Sequence, residues 1–162
     1  IDAFLLYKSE RYDVKGRKYI GSPLKYYFSD VGLRNARLNF RQQEENHIME
    51  NIIYNELCGR DFSVDVGVVE YCYKDAEKKS KRTQLEIDFV ANKGSKKYYI
   101  QSALTVADEE KREQEIRSLK RVGDSFKKIV VVKDNIIPWH DDDGILYIGI
   151  EQFLLDENAM DM

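Results

Sequence analysis

The sequence predicts a mixed α/β domain, with a central sheet flanked by helices. Three observations carry this. Apolar and polar residues alternate with period two over 62–73, 83–91 and 98–104. Between and after them lie two segments with helical spacing, 42–58 and 108–122. A short apolar run, Phe126 to Lys133, has the continuous centre of a strand covered on both faces.

The elements follow in order. After an apolar stretch at 3–7, Asp13, Lys15 and Gly16 predict a turn between short strands at 10–13 and 17–20. Asp30 is placed to cap a short helix running through Leu33 to Leu38. Met49, Ile52, Ile53 and Leu57 form the apolar stripe of the first long helix, and Gly59 is a reasonable stop. In 62–73 the alternation slips between Val68 and Val69, which predicts a bulge or two abutting strands. A charged hairpin tip at 74–82 leads into the next strand. There Leu85, Ile87 and Phe89 are expected on one face, with Glu86, Asp88 and Val90 on the other.

A turn around Gly94 precedes the strand at 98–104, which puts Tyr99, Gln101 and Ala103 on one side. Asp108 caps the second long helix, with Ile116, Leu119 and Val122 inward. The apolar strand follows, then a loop through Pro138, Trp139 and DDDG. A last strand at 145–148 and a helix at 150–157 close the domain. The expected organisation is a small N-terminal lobe over 1–41, a core over 42–157 and a frayed end at 158–162.

Composition narrows the class. Of 162 residues, 43% are hydrophobic, enough for a core, and nine glycines and two prolines argue against global disorder. Cys58 and Cys72 lack any CxxC or Cys/His context and are expected to be buried free thiols. No secretory signal is evident and no apolar run approaches roughly 18 residues, so a cytoplasmic protein without a membrane partner is expected. The opening at Ile1, inside ordinary folded sequence, suggests an upstream portion.

The net charge of −3 hides segregation. Residues 1–41 hold nine Lys/Arg against four Asp/Glu, whereas 134–162 hold eight acids and no Lys/Arg. The basic segment suits phosphate or an acidic partner, with Arg17, Lys18 and Lys25 as candidate nucleic-acid contacts among tyrosines. Docking of those tyrosines on the core, and mutual neutralisation of the charge blocks, are the competing explanations.

One constellation bears on chemistry. A Mg²⁺-dependent phosphodiesterase needs hard oxygen ligands and a cation beside the attacked phosphate. Glu50 on a helix, Asp88 on a strand and Gln101 on the next strand are spaced to supply the polar groups. At the i,i+2 position after Gln101, where a lysine would share its face, stands Ala103. Spacing alone equally allows a solvated strand face for Glu86 and Asp88.

Five segments in order, KYYFSDVGLRNA (25–36), ENHIMENIIYNEL (45–57), QLEIDFVA (84–91), YYIQSALTVADEEKREQEIRSL (98–119) and KKIVVVKD (127–134), resemble the DUF4143 C-terminal region of prokaryotic AAA+-like P-loop ATPases. The resemblance implies a restriction-endonuclease-like core of the PD-(D/E)xK type. It makes Glu50, Asp88 and Gln101 the motif carboxylates and amide, with Glu50 and Asp88 as the Mg²⁺ ligands. Ala103 occupies the motif lysine. The implied ATPase module lies upstream, and the chain holds no GxxxxGK[ST], so ATP belongs only to that module.

Three functions follow as expectations. The first is a non-catalytic accessory domain of a P-loop ATPase that binds DNA or a protein partner. The second is a Mg²⁺-dependent DNA endonuclease with a relocated lysine. The third is an oligomerisation or protein-interaction module.

Overall fold

The computed structural model describes residues 5–41, 44–74 and 80–162. The apolar residues before Leu5, the first two residues of the expected helix at 42–58 and the centre of the charged hairpin tip, 75–79, lie outside them.

The elements in chain order are β1 (Leu6–Asp13), β2 (Lys18–Phe28), α1 (Val31–Arg37), α2 (Glu45–Gly59), β3 (Ser63–Lys74), β4 (Ser80–Lys93) and β5 (Lys96–Ala103). Then come α3 (Glu109–Lys120), β6 (Lys127–Val132), β7 (Trp139–His140), β8 (Leu146–Gly149), α4 (Ile150–Leu155) and a closing 3-10 turn, Ala159–Asp161. The described strands form one sheet in the order β2-β1-β3-β4-β5-β6-β8-β7. It is mixed: β1/β3, β5/β6 and β6/β8 are parallel, and the other neighbouring pairs are antiparallel. Helices cover both faces, as expected. On one face Met49, Ile53 and Leu57 of α2 and Phe153 of α4 pack on Phe89, Ile100 and Ile129. On the other, Ile116 and Leu119 of α3 pack on Val69, Ile87, Val90 and Val130.

Local chemistry explains the helix ends. The Asp30 carboxylate accepts the Leu33 amide at 2.8 Å, and Asp108 accepts the amides of Glu110 and Lys111. Gly59 is the last residue of α2, but the left-handed residue that turns the chain is Asp61, with φ +63°.

The strand alternation breaks in a way that matters for the site. Asp65 pairs with Val90 but Gly67 pairs with Ile87, so three steps along β4 oppose two along β3. The extra residue is therefore in β4, around Asp88 and Phe89, not at the slip visible in β3 after Val68. Across the bulge, Ile87 and Val90 both join the α3 face, while Phe89 joins the α2 face. The expected facing of Ile87 with Phe89, and of Asp88 with Val90, is thus overturned. Gly67 makes room for this: a Cβ there would stand 2.9 Å from both Ile87 Cβ and Val90 Cγ2.

Three further expectations are corrected. Residues 1–41 do not form a separate lobe where they are described, because β1 pairs in parallel with β3 through Arg11, Tyr12 and Asp13 and extends the same sheet. The C-terminal residues dock instead of fraying: Ala159 and Met160 are buried in the α2-face core, and Asp161 pairs with Lys96 and Tyr98. Cys72 is exposed on the β3/β4 hairpin, while Cys58 is half-buried.

Candidate functional site

The site lies where β4 and β5 part. The two strands pair from Lys93/Lys96 to Phe89/Ile100 and no further. Beyond that point β4 stays with β3 and β5 with β6, leaving a fork between them. Asp88 fills the fork. Its Oδ2 accepts from both the backbone amide and the hydroxyl of Ser102, each at 2.9 Å. The amide of Gln101 reaches back the other way: its Oε1 accepts the Asp88 backbone N–H at 3.3 Å. These side chains satisfy backbone groups that the lost ladder would otherwise have paired.

Glu50 comes from α2, and a third element completes the group. The β1/β2 hairpin pairs with β3 over only three residues, and its other end carries Lys25 and Tyr27 onto the α2 face. Two α2 amides hold it there. Asn51 accepts the Phe28 N–H at 2.9 Å and donates to the Phe28 carbonyl at 2.6 Å, and Asn55 donates to the carbonyls of Phe28 and Ser29. Tyr27 stacks on Tyr54 with ring centroids 4.1 Å apart. Lys25, two residues before the inward-facing Tyr27, therefore points at the carboxylates. Its Nζ lies 2.7 Å from Glu86 Oε1, 3.2 Å from Glu50 Oε2 and 3.8 Å from Asp88 Oδ1. Arg11 of β1 holds the other Glu86 oxygen at 2.5 Å.

A cavity of about 400 Å³ opens on the Glu50 and Asp88 side of this group, lined also by Gln101, Ser102, Lys111 and Glu115, while Lys25 lines a neighbouring cavity that shares Glu50. Glu115 enters from α3 and hydrogen-bonds Gln101. Four carboxyl groups (Glu50, Glu86, Asp88 and Glu115) thus gather with three cations, Arg11, Lys25 and Lys111. Burial and these charges together shift the acidities. Burial, and then the Glu50 charge, push the Asp88 carboxyl up to about 7. Burial, opposed by the Gln101 hydrogen bond, raises Glu115. Burial pulls Lys25 down, but Glu50, Asp88 and Glu86 outweigh it and leave it above its ordinary value. Lys25 is therefore a fixed positive charge at neutral pH, not a base. The Tyr27 hydroxyl, in the field of the same carboxylates, is buried without a hydrogen-bond partner among the described residues.

The structure thus brings Glu50, Asp88 and Gln101 into one cavity. Ala103 is elsewhere in effect: it is 4% exposed and packs under α3. Lys25 leaves the set of surface contacts in which the sequence placed it. Arg17 and Lys18 remain exposed at the β1/β2 turn, where Arg17 has φ +53°. Tyr12 packs against the α3-face core and lies edge-on to Tyr19, whose ring stays exposed while its hydroxyl donates to Asp65. Sequence reasoning missed Ser102, Arg11 and Glu115. Glu115 had a signal, since it lies one turn before Leu119 at the edge of the buried stripe of α3.

Among the described residues, no three His, Cys, Asp or Glu side chains converge as a ready-made metal cage. No described helix is long and apolar enough to cross a membrane.

No protein-family model matches this chain. No solved structure matches it. A protein of Haemophilus influenzae, described as uncharacterized, is 31% identical over 154 residues, covering 95% of this chain. The chain spans 34% of that relative's length.

Proposed function

We propose that this chain is a nuclease-type domain that uses Mg²⁺ to cleave phosphodiester bonds in DNA, with Lys25 as its relocated cation. We place it within a longer P-loop ATPase polypeptide. The observation that carries the reading is the contact of Lys25, from β2, with Glu50 of α2 and Asp88 of β4, two carboxylates that line one cavity. The sequence lacked only the cation, and β2 supplies it.

The residues fit a divalent ion. Glu50 and Asp88 offer hard carboxylate oxygens, and Gln101 and Ser102 border them. Burial, and then the Glu50 charge, disfavour the ionised Asp88 carboxylate, and a divalent ion would stabilise it. Bound there, Mg²⁺ would supply Lewis-acid polarisation of a phosphoryl oxygen and a more acidic water. The chain's own contributions are distinct. Ser102 fixes the rotamer of Asp88, Gln101 ties β4 to β5 at the fork, and Lys25 sets a positive charge beside the carboxylates. The restriction-endonuclease-like identity of the core rests on the five ordered motifs together with this fork. The relative, with about two thirds of its length outside the match, supports a domain of a longer protein.

A second reading, the non-catalytic accessory domain, is favoured by one observation. The Lys25 ammonium already spans Glu50, Glu86 and Asp88, as a lock would. Incubating the protein with supercoiled and linear DNA in Mg²⁺ or Mn²⁺ separates the two. Nicking that disappears in Asp88→Asn is expected. Absence of metal-dependent cleavage by the wild-type chain, at any DNA end or topology, would leave the accessory reading standing.

A further inference from the structure

A second cleft adjoins the carboxylate cavity. It measures about 510 Å³ and is lined by Glu113, Gln114, Arg117, Lys120 and Arg121 of α3 and the residue after it. Gln114 lines both cavities, so the two share a wall. Their chemistry is opposite. Lys120 is bound by Glu113 and Asp143 at 3.0 Å each. Arg117 and Arg121 have no carboxylate partner among the described residues; both guanidinium groups instead lie over the ring of Tyr71, at 5.2 and 4.7 Å from its centroid. Arg117 also donates to the Tyr71 hydroxyl. One aromatic ring thus holds two cations in place without neutralising them. Tyr73, 43% exposed, packs beside Tyr71 with centroids 5.9 Å apart.

We infer that Arg117 and Arg121, with Tyr71 as their platform, form a phosphate-binding subsite for a DNA strand that continues from the carboxylate cavity. Guanidinium forks match phosphate oxygens in a way ammonium groups do not. An exposed tyrosine beside paired arginines suits a strand with unstacked bases. The spacing is compatible. From Gln114 to Arg121 is about two helical turns, or about 10 Å along α3, so a strand needs to run only a few nucleotides past the carboxylate cavity to reach both guanidinium groups. The ligand class rests on the phosphodiester reading above. The cations themselves, and their lack of acidic partners among the described residues, do not.

The test is binding of a short fluorescein-labelled single-stranded DNA to the full chain, with EDTA present to prevent cleavage, followed as salt is varied. The Arg117→Gln/Arg121→Gln variant is expected to bind at least about tenfold more weakly, and the slope of log affinity against log salt should shrink by about 1.4, two phosphate contacts on single-stranded DNA. Arg117→Lys/Arg121→Lys should keep most of that slope. Wild-type protein should also bind a methylphosphonate strand, which lacks the charges, at least about tenfold more weakly. That arm stands even if the glutamine variant folds poorly. Unchanged affinity and slope in the glutamine variant, or equal binding of charged and uncharged strands, overturns the subsite. The two readings fail separately. Normal binding by the arginine variant with Asp88-dependent cleavage removes the subsite alone. Arginine-dependent binding without any cleavage removes the nuclease reading alone.

Discussion

Lys25 and Glu50 meet at 3.2 Å although one stands on a hairpin strand and the other on a helix. Neither contact is encoded locally. It requires the hairpin to leave β3 after three paired residues and the amides of Asn51 and Asn55 to clamp Phe28 and Ser29. The candidate site depends on that clamp as much as on its charges.

Asn51→Ala should therefore do two things. It strips the side-chain acceptor from the Phe28 N–H and one of the two amide donors from its carbonyl, and leaving a polar group unmet costs about 1–3 kcal/mol. It also frees the strand that aims Lys25. Chemical denaturation should show the stability loss, and metal-dependent cleavage should fall beyond what the lost stability explains. Asn51→Asp, which keeps one acceptor, should recover part of the loss.

Gly67→Ala tests the bulge. The added methyl would meet Ile87 and Val90 at 2.9 Å, both in the strand interior. Overpacking of this kind costs about 1–3 kcal/mol. The thermal midpoint should drop by several degrees. An unchanged midpoint would mean that β4 does not carry its extra residue opposite Gly67.

Restoring the motif lysine should fail. Ala103 packs with Ile116 and Leu119 beneath α3, so Ala103→Lys places an ammonium among apolar side chains, away from Glu50. An unpaired buried charge costs several kcal/mol. The expected result is a lower denaturant midpoint with no gain in cleavage. A stable, more active Ala103→Lys protein would contradict the geometry.

The acidity of Asp88 sets a pH signature. Its carboxyl is raised from 3.8 to about 7, so the folded state binds the proton more tightly than the unfolded state. Ionising it costs stability, and that cost accumulates as pH rises from 3.8 to about 7. A metal needs the ionised form. Mn²⁺ affinity, followed by water-proton relaxation, should weaken as pH falls through about 7 and level off above it. Asp88→Asn should remove this dependence.

Much of the fold was legible in the sequence because its signals are local. Asp30 and Asp108 cap where their side-chain chemistry predicts, and the alternation of Tyr98 to Ala103 separates the two cores as read. Gln101, Glu50 and Asp88, singled out through the family resemblance, line one cavity. What escaped depends on pairing. The extra residue of β4 is invisible in its own alternation, because only the register against β3 reveals it. For the same reason Asp88 could be named but not aimed. Lys25 looked like one of several basic residues beside tyrosines. Its role follows from the curl of a hairpin that no periodicity reports.

The most direct test of the account is the single-turnover rate of Mg²⁺-dependent DNA cleavage by Lys25→Met, measured beside Mn²⁺ binding by the same variant. If Lys25 is the relocated cation, cleavage should fall by about 10²-fold or more, while Glu50 and Asp88 still bind the metal. Cleavage or metal binding that rises when Lys25 is removed would contradict it, and would show the ammonium to be a lock on the carboxylates.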